Sequence, residues 1–344
     1  LYKSNPEDSS LGDTHVINKM IETGSIFKLR EFKEWHDTGN VGSLYDVRKR
    51  ISNSAHSLDK LEESIFIFKN FVVKFFHDHR IIKDRVKRGK ILSGLVPEIQ
   101  NSIRNFYRYK FVKGQLFSDV ANPKNFREFL AWSKKNLWKE TKEVSQKKFK
   151  KICHGFYYTK SKERIKKFLA TRGVIDGKTF INDEEIPSVK ELIHRIDFDW
   201  LTDSRQTHFH GDFIPDNILK TKNGFILLDW RQNFGGLLKA GDIYYDLAKL
   251  NHNLIVNHGI VNKNLFTIEI KDNVVECDIL RKDNLVKCQE ELFSFIRKEK
   301  LDEKKVRILT ALIWLNMSPL HHHPFDLFLF YFGKLNLWRE INRK

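Results

Sequence analysis

The residues best suited to chemistry form one short block, His210-Gly211-Asp212-Phe213-Ile214-Pro215-Asp216-Asn217, which has the spacing H-x-D-x-x-x-x-N. Asp229 follows twelve residues after Asn217, at the end of an apolar run, and Asn223-Gly224 between them predicts a tight hairpin turn. Such a hairpin brings the oxygen donors Asp212, Asn217 and Asp229 together. Phosphoryl transfer needs this set, because Mg²⁺ prefers hard oxygen ligands and a separate carboxylate must accept the proton of the attacking hydroxyl.

An aspartate and an asparagine at this spacing are common by chance, so the specificity comes from the whole block. The glycine after His210, the apolar strand on each side and the second aspartate make the pattern informative. The block resembles the aminoglycoside phosphotransferase and choline kinase family, which carries HGD-x-x-x-x-N and then a strand ending in Asp-Trp or Asp-Phe, here Asp229-Trp230. A later stretch, Gly241-Asp242-Ile243-Tyr244-Tyr245-Asp246-Leu247-Ala248, resembles the family's G-D-x-x-Y-D-L-A.

The resemblance covers residues 56–340 and implies both a fold and a set of roles. It implies an α+β, two-lobed, protein-kinase-like fold, with a small β-rich N-lobe and a larger, mostly helical C-lobe. Asp212 would be the catalytic base, with His210 beside it in the catalytic loop, and Asn217 and Asp229 would be Mg²⁺ ligands. His210 and Asp242 are implied to support the site, and ATP and Mg²⁺ are the implied cofactors.

The expected N-lobe offers residues for nucleotide binding. Val72-Val73-Lys74 resembles the family strand whose lysine holds the α- and β-phosphates. The family usually adds an acidic partner on the next helix, where this chain has only Asp84, and Glu98 beyond the helix is the alternative. Residues 111–113 follow where the strand to the adenine-binding hinge should end, so the backbone of Phe111 to Lys113 is expected to contact adenine.

Hydrophobic patterning supplies the elements that must position these residues. Residues 64–76 predict a β-hairpin, and residues 80–94 predict a helix that Gly94 and Pro97 end. Ser188 begins a predicted capping box for a helix through Ile196. Residues 243–256 and 285–340 predict helices, with a hairpin-like stretch over 266–280 between them. We therefore expect an N-terminal extension over 1–55, an N-lobe over 56–116 and a C-lobe over 117–344.

The extension carries a second, shorter resemblance. Trp35-His36-Asp37-Thr38-Gly39-Asn40-Val41-Gly42-Ser43-Leu44 resembles the W-x-D-T-G-N-x-x-S-L stretch near the end of sugar nucleotidyltransferases. The chain lacks that family's glycine-rich nucleotide loop, so Asp37 is not expected to catalyse a reaction. The resemblance implies the remnant of a nucleotidyltransferase fused to, or paired with, a kinase, which would suit the synthesis of glycan or headgroup precursors. The sequence starts at Leu1 without Met or a signal-peptide pattern, which is typical of part of a longer chain.

Composition restricts the class of protein. The chain has 344 residues, 13% aromatic residues and a formal charge of +17, which excludes extensive disorder and indicates anionic partners or a solvated basic surface. Its longest apolar run is too short for a membrane span, and three isolated cysteines favour a reducing, cytoplasmic setting. The basic tract 134–167 could bind nucleic acid, but its interleaved aromatic residues at helical spacing are more typical of a core.

The acceptor is left open between a sugar, a polyol, a phosphorylated intermediate and a choline-like alcohol. The high positive charge argues against a polycationic acceptor. Trp314, Asn316 and His321 to His323 are candidate lining residues, and three adjacent histidines are not expected to converge on one metal ion. The alternatives to a kinase are a catalytically silent, kinase-like module that binds nucleotide and a basic RNA-binding domain.

Overall fold

The computed structural model describes residues 13–28, 31 and 63–343, and the chain divides into two compact units, Leu1–Ala55 and His56–Lys344. In the first unit, helix α1 spans Asp13–Glu22, and Lys19 and Glu22 form an exposed ion pair with an N–O distance of 3.0 Å. The tract 35–44 that resembles a nucleotidyltransferase lies outside the described residues.

The second unit opens with a four-stranded antiparallel sheet in the order β1-β2-β4-β3. Its strands are β1 (Glu63–Ile67), β2 (Phe71–Phe76), β3 (Ile99–Ile103) and β4 (Phe106–Lys110). Along β2, every second side chain is buried, and Lys74 lies between Val72 and Phe76 on the buried face. The hairpin predicted over 64–76 is confirmed. Because successive side chains of a strand point to opposite faces, Lys74 points into the molecule together with Val72 and Phe76.

Helix α2 (His79–Ile91) packs on this sheet and begins where the Asp78 carboxylate accepts a hydrogen bond from the backbone of Arg80. The helix predicted over 80–94 is confirmed and ends slightly earlier than expected. Its buried face carries two cations, Arg85 and Arg88, which is an uncommon place for charge. A Cβ at Gly89 would lie 3.0 Å from the Trp230 ring and would overlap the side chain of Ile99, so glycine lets α2 pack closely against Trp230 and β3.

The rest of the second unit is mostly helical. Its helices are α3 (Phe117–Val120), α4 (Pro123–Asn136), α5 (Gln146–His154), α6 (Lys160–Arg172), α7 (Val189–His194), α8 (Phe198–Leu201), α9 (Ile243–Ile255), α10 (His258–Val261), α11 (Asp283–Lys298), α12 (Glu303–Met317) and α13 (Phe325–Asn342). A π-helical turn at Gly155–Thr159 joins α5 to α6. The Ser188 hydroxyl caps α7 as expected, and this helix ends at His194, two residues before the predicted end.

Short strands carry the chemistry-bearing block. They are β5 (Gln115–Leu116), β6 (Thr179–Ile181), β7 (Glu184–Ile186), β8 (Gln206–Thr207), β9 (Ile218–Thr221), β10 (Gly224–Leu227), β11 (Gly241–Asp242), β12 (Phe266–Lys271) and β13 (Val274–Ile279). The hairpin β9-β10 turns at Asn223-Gly224 as predicted and adds β5 on its other edge. The hairpin β12-β13 is also confirmed, and it joins β6 and β7 in a four-stranded sheet.

An aromatic cluster fastens the β9-β10 hairpin to α4. Phe129 lies 5.2 Å from Phe213 and 5.0 Å from Phe225, measured between ring centroids, and Phe117 lies 5.4 Å from Phe225. All four rings are buried, and burying each one contributes roughly 1.5–3 kcal/mol. Because Phe213 follows Asp212 directly, this packing also fixes the block that contains Asp212.

The predicted fold class is confirmed: the second unit is α+β, with a small β-rich front part and a larger, mostly helical back part. The three cysteines are buried and form no disulfide. In the ranges that the structure describes, no helix combines the length and the apolar character needed to cross a bilayer.

Candidate active site

His210 anchors the block from inside the protein. Its side chain is fully buried; Nδ1 accepts the backbone N–H of Asp212 at 3.3 Å, and Nε2 lies 2.8 Å from the Leu228 carbonyl, to which it donates. Burial lowers the pKa of His210 to about 4, so the ring is neutral at physiological pH and both nitrogens are engaged. These contacts make His210 a positioning residue that ties the loop to the end of β10.

Gly211 and Asp246 set the direction of the loop. Gly211 has a φ of +86°, and a Cβ there would lie 2.6 Å from the Cβ of Arg231. The Asp246 carboxylate, on α9, accepts the backbone N–H groups of His210 at 2.8 Å and Gly211 at 2.7 Å. Burial raises the pKa of Asp246 to about 6, although these hydrogen bonds oppose the shift. Its role was not assigned from the sequence, and the signal was its place in the stretch 241–248.

Asp242 caps α9 and completes this support. Its buried carboxylate accepts hydrogen bonds from the Tyr157 hydroxyl at 2.7 Å, the Ser204 hydroxyl at 2.6 Å and the backbone of Tyr244. Burial raises the pKa of Asp242, and the same three hydrogen bonds lower it. Asp242 therefore holds the start of the helix that carries Asp246.

The Asp212 carboxylate contacts Lys249 and Asn217. Lys249 Nζ is 2.8 Å from its Oδ1, and the Asn217 amide donates to its Oδ2 at 3.1 Å and to its backbone carbonyl at 2.9 Å. The Asp212 side chain is 30% exposed, so a ligand can reach the carboxylate. The Lys249 ammonium favours the ionised form of this carboxylate, which is the form that accepts a proton.

Asp229 follows β10 with a φ of +54°, a left-handed conformation that aspartate tolerates better than most residues. Its Oδ1 accepts Lys74 Nζ at 2.7 Å and also the guanidinium of Arg85. Burial lowers the pKa of Lys74, with Arg85 adding to that shift and Asp229 opposing it. Burial alone would lower the pKa of Arg85 too, but the negative charge of Asp229 reverses the direction, so Arg85 stays charged.

The expected partners of Lys74 lie elsewhere. Within the described residues, the Asp84 carboxylate accepts a hydrogen bond from Asn233 at 3.1 Å, and the backbone carbonyl of Glu98 accepts one from Lys110. The ion pair of Lys74 runs to Asp229 instead, which corrects the placement of Asp84 beside the lysine. The physical reason is the helix period: α2 turns Arg85 toward the cleft and leaves its neighbour Asp84 on another face.

Arg88 joins α2 to the segments before and after the β9-β10 hairpin. Its buried guanidinium donates to the carbonyls of Leu238 at 3.0 Å, Arg231 at 2.5 Å and His210 at 3.3 Å, and also to that of Phe209. The guanidinium carbon also lies 3.7 Å from the centroid of the Phe209 ring. Burial lowers the pKa of Arg88 to about 9. This contact set was not foreseen, because nothing in the local pattern separates Arg88 from the other basic residues of α2.

Phe111 and Lys113 lie in the connection between the front sheet and β5, which pairs with the β9-β10 hairpin. β4 ends at Lys110, the Phe111 N–H donates to the Asn70 carbonyl at 3.0 Å, and β5 then pairs with β9. Phe111 is half-exposed and Lys113 is exposed. The contact of this segment with adenine stays a prediction.

The donors at Asn217 and Asp229 fit the chemistry of Mg²⁺ bound together with phosphates. Because the Asn217 nitrogen donates to Asp212, its oxygen is the atom available to a cation. Mg²⁺ takes one or two protein ligands and completes its shell with substrate phosphates and water, so no dedicated cage is needed. Within the described ranges, no three side chains of His, Cys, Asp or Glu form such a cage.

The candidate lining residues lie in different surroundings, from the buried core to the exposed surface. Trp314 is buried and donates to His252 at 2.7 Å, so it belongs to the core and not to a cleft wall. The backbone carbonyl of Asn316 accepts Arg164 at 3.2 Å. His321 is partly buried, and His322 and His323 are exposed.

Residues 164–258 match the phosphotransferase enzyme family. The matched stretch contains Asp212, Asn217, Asp229 and Asp242, and it confirms the family resemblance predicted from these motifs. No curated protein matches the chain.

Solved structures that resemble the chain share little sequence with it. The ternary complex of APH(2'')-IIa with streptomycin and ATP is 14% identical, covers 88% of this chain and 97% of that one, and has a TM-score of 0.47. An ethanolamine kinase from Plasmodium vivax is 14% identical, with coverages of 96% and 95% and a TM-score of 0.41. A choline/ethanolamine kinase family protein from Mesorhizobium loti is 13% identical, with coverages of 87% and 97% and a TM-score of 0.43.

Proposed function

We propose that this chain is an ATP- and Mg²⁺-dependent phosphotransferase that acts on a hydroxyl of a small-molecule alcohol. One observation carries the proposal. The turn from Asp212 to Asn217 brings a reachable carboxylate and an amide oxygen together, and the following hairpin delivers Asp229 to the buried cations Lys74 and Arg85. A proton acceptor, metal donors and phosphate-binding cations are thus held by elements that the aromatic cluster and Arg88 fix in place.

Asp212 is the proton acceptor in this reaction. The acceptor hydroxyl oxygen bonds to the γ-phosphorus, the bond from that phosphorus to the β–γ bridging oxygen breaks, and ADP leaves with that oxygen. The hydroxyl proton passes to the Asp212 carboxylate, which Lys249 and Asn217 orient.

Lys74 and Arg85 bind the nucleotide phosphates, and Asn217 and Asp229 hold the metal. Mg²⁺ bound there supplies positive charge that neutralises the phosphate oxygens. Lys74 and Arg85 share the single carboxylate of Asp229, so an incoming polyphosphate gives both cations a more highly charged partner. The backbone of 111–113 is the proposed contact for adenine.

The alternative is a nucleotide-binding module without turnover, and the same contacts motivate it. Asp212 is held by Lys249, and Asp229 is held by Lys74 and Arg85, so each key carboxylate starts from an ion pair. If these pairs persist with ligand bound, the chain binds nucleotide and transfers nothing.

The proposal is tested by melting temperature and by transfer from labelled ATP to a panel of alcohols. Ligand at ~100 times its dissociation constant stabilises a protein by about 2.7 kcal/mol, which is a shift of several degrees here. We expect Mg-ADP to shift the melting of the wild type and not that of Asp229→Ala. Asp212→Asn should keep the nucleotide shift and lose transfer by ~10²-fold or more.

Asp278→Asn is the matched control, because this exposed aspartate lies on β13 outside the site, and it should leave both readouts unchanged. Undiminished transfer by Asp212→Asn would remove Asp212 as the base. A magnesium-dependent shift without transfer to any alcohol favours the silent module, and the absence of a shift contradicts both nucleotide-based functions.

A further inference from the structure

Four cations lie close enough to influence one another, and the group reaches Asp212 through one of them. They are Lys160 and Arg164 on α6, Arg231 after β10, and Lys249 on α9. Lys160 Nζ lies 4.3 Å from the centroid of the Phe156 ring, and the Arg231 guanidinium carbon lies 5.0 Å from the same centroid. Lys249 extends the group to Asp212 itself, at 2.8 Å.

Lys160 and Arg164 are four residues apart and therefore share one face of α6. Both side chains are partly buried, whereas Lys166 and Lys167 of the same helix are exposed. Arg164 donates to the backbone carbonyl of Asn316 at 3.2 Å, and this contact fixes the position of its guanidinium.

Three of these four cations lack a carboxylate partner among the described residues. In the part of the chain that the structure describes, no carboxylate lies within ion-pair distance of Lys160, Arg164 or Arg231. Burial, together with the positive charges of Arg231, Arg164 and Lys249, lowers the pKa of Lys160 to about 6. Partly buried cations that repel one another destabilise the protein. An anion bound among them would pair with these charges and offset the repulsion.

We propose that the alcohol phosphorylated at Asp212 carries an anionic group, a phosphate or a carboxylate, which Lys160, Arg164 and Arg231 bind. Guanidinium groups match both kinds of anion through paired N–H donors, and Lys160 adds a point charge. A quaternary amine or a polycationic antibiotic placed here would face like charges and a desolvation penalty. The inference rests on the proposed function for the position of the hydroxyl, but not for the anion site itself.

The test uses two double variants that each remove two positive charges from α6. Lys160→Gln/Arg164→Gln removes the inward pair, and Lys166→Gln/Lys167→Gln removes an exposed pair from the same helix. Sulfate is titrated by calorimetry with saturating Mg-ADP present, so that the nucleotide phosphate sites are filled. We expect the inward variant to weaken sulfate binding ~10-fold or more and the exposed variant to change it less than twofold.

The second arm measures phosphoryl transfer from labelled ATP to matched acceptors: glycerol, glycerate, glycerol 3-phosphate and choline, and then glucose, gluconate and glucose 6-phosphate. We expect transfer only to anionic members, and the comparison of carboxylates with phosphates identifies the group. The inward variant should raise the KM of the anionic acceptor ~10–100-fold and leave the KM of ATP within twofold.

The outcomes separate the two proposals. Sulfate binding that is lost only in the inward variant supports the anion site even if no acceptor is phosphorylated, in which case the proposed function fails alone. Equal sulfate affinity in all three proteins overturns the inference, as does efficient transfer to glycerol or choline that the inward variant leaves unchanged. A rise in the KM of ATP alone would assign the cations to the nucleotide and would also overturn it.

Discussion

The low pKa of Lys160 gives anion binding a pH dependence that can be predicted with its sign. In the empty site, a pKa of about 6 leaves roughly a tenth of Lys160 protonated at pH 7 and roughly a hundredth at pH 8. Arginine side chains do not lose their proton in proteins, so only Lys160 of the three is expected to change charge, and Lys249 is paired with Asp212. An anion favours the charged form of Lys160, so binding takes up a proton.

Sulfate is the appropriate probe, because it does not titrate between pH 5 and pH 9. Its dissociation constant should be nearly constant below pH 6 and rise toward tenfold per pH unit from about pH 6.5 to pH 9. Calorimetry at pH 7 in buffers of different ionisation enthalpy should show the uptake of roughly 0.9 proton per sulfate bound. Lys160→Arg keeps its charge throughout, so it should flatten the slope and bind sulfate more tightly than the wild type at pH 8.

The slope in Lys160→Arg decides whether this reasoning is right. A wild-type slope that persists in this variant would assign the titration to another group, such as His208, whose pKa burial also lowers. Sulfate affinity that does not change with pH would show that Lys160 keeps its proton in the empty site. Either result refutes the electrostatic account.

The same linkage gives Lys160 a second, independent signature. Its pKa in the folded chain lies below the ordinary lysine value of 10.5, so the folded state binds fewer protons than the unfolded state between about pH 6 and pH 10.5. The free energy of unfolding should therefore rise with pH across this window. Lys160→Met should be more stable than the wild type near pH 6 and lose that advantage by about pH 10, as measured by urea unfolding.

Two further predictions concern the groups that hold the site. Arg85→Gln removes one of the cations that hold Asp229, so we expect unfolding to become easier by about 1–3 kcal/mol and nucleotide to bind ~10-fold more weakly; urea unfolding and ADP titration check this, and unchanged ADP affinity would assign Arg85 a purely structural role. Asp246→Asn keeps the shape but replaces one acceptor oxygen by a donor facing the N–H groups of His210 and Gly211, so we expect a loss of about 1–3 kcal/mol near pH 4. The loss should shrink as the pH rises past 6, because the raised pKa of Asp246 makes the wild type less stable as this carboxyl ionises while the variant does not titrate there. A difference in the free energy of unfolding that grows from pH 4 to pH 8 would contradict that account.

The parts of the site that follow from local pattern could be predicted from the sequence. The hairpin at Asn223-Gly224, the strand that carries Lys74 and the capped start of α7 depend on residues within a few positions of one another. The position of Asp229 at the end of β10 follows from the same short-range pattern, and so does the proximity of Asp212 and Asn217.

The contacts between distant segments could not be predicted in this way. Lys74 and Asp229 are more than 150 residues apart, and the choice between Asp84 and Arg85 as the residue that faces the cleft depends on the rotation of α2 against the sheet. The joining of β13 to β6 by parallel pairing is likewise invisible to periodicity. Such contacts are decided by packing, which the local sequence pattern does not encode.

The basic tract 134–167 contributes both aromatic residues to the core and a partly buried cation. The structure buries Trp138, Phe149 and Tyr157, as the core interpretation of its aromatic residues predicted. Its cations, however, are not all a solvated face, because Lys160 is partly buried just after the π-helical turn while Lys166 and Lys167 on α6 stay exposed. The wide turn adds a residue to the helical repeat, so the helical phase of α5 does not carry over into α6.

The two carboxylates of the site share one electrostatic arrangement. Asp229 is held by Lys74 and Arg85, and Asp212 is held by Lys249, so neither is left as an uncompensated charge before ligands bind. Each ligand of the proposed reaction would bring its own negative charge to these cations: the nucleotide phosphates to the first pair, and the acceptor anion to the group that ends at Lys249. Ligand binding then replaces internal ion pairs by pairs with substrate, which frees Asp229 for a metal and Asp212 for a proton only when both substrates are present. On this view the cations near Asp212 and Asp229 do more than keep the protein soluble. They hold both carboxylates in ion pairs until the anionic ligands bind, so each carboxylate can take part in the reaction only in the occupied site.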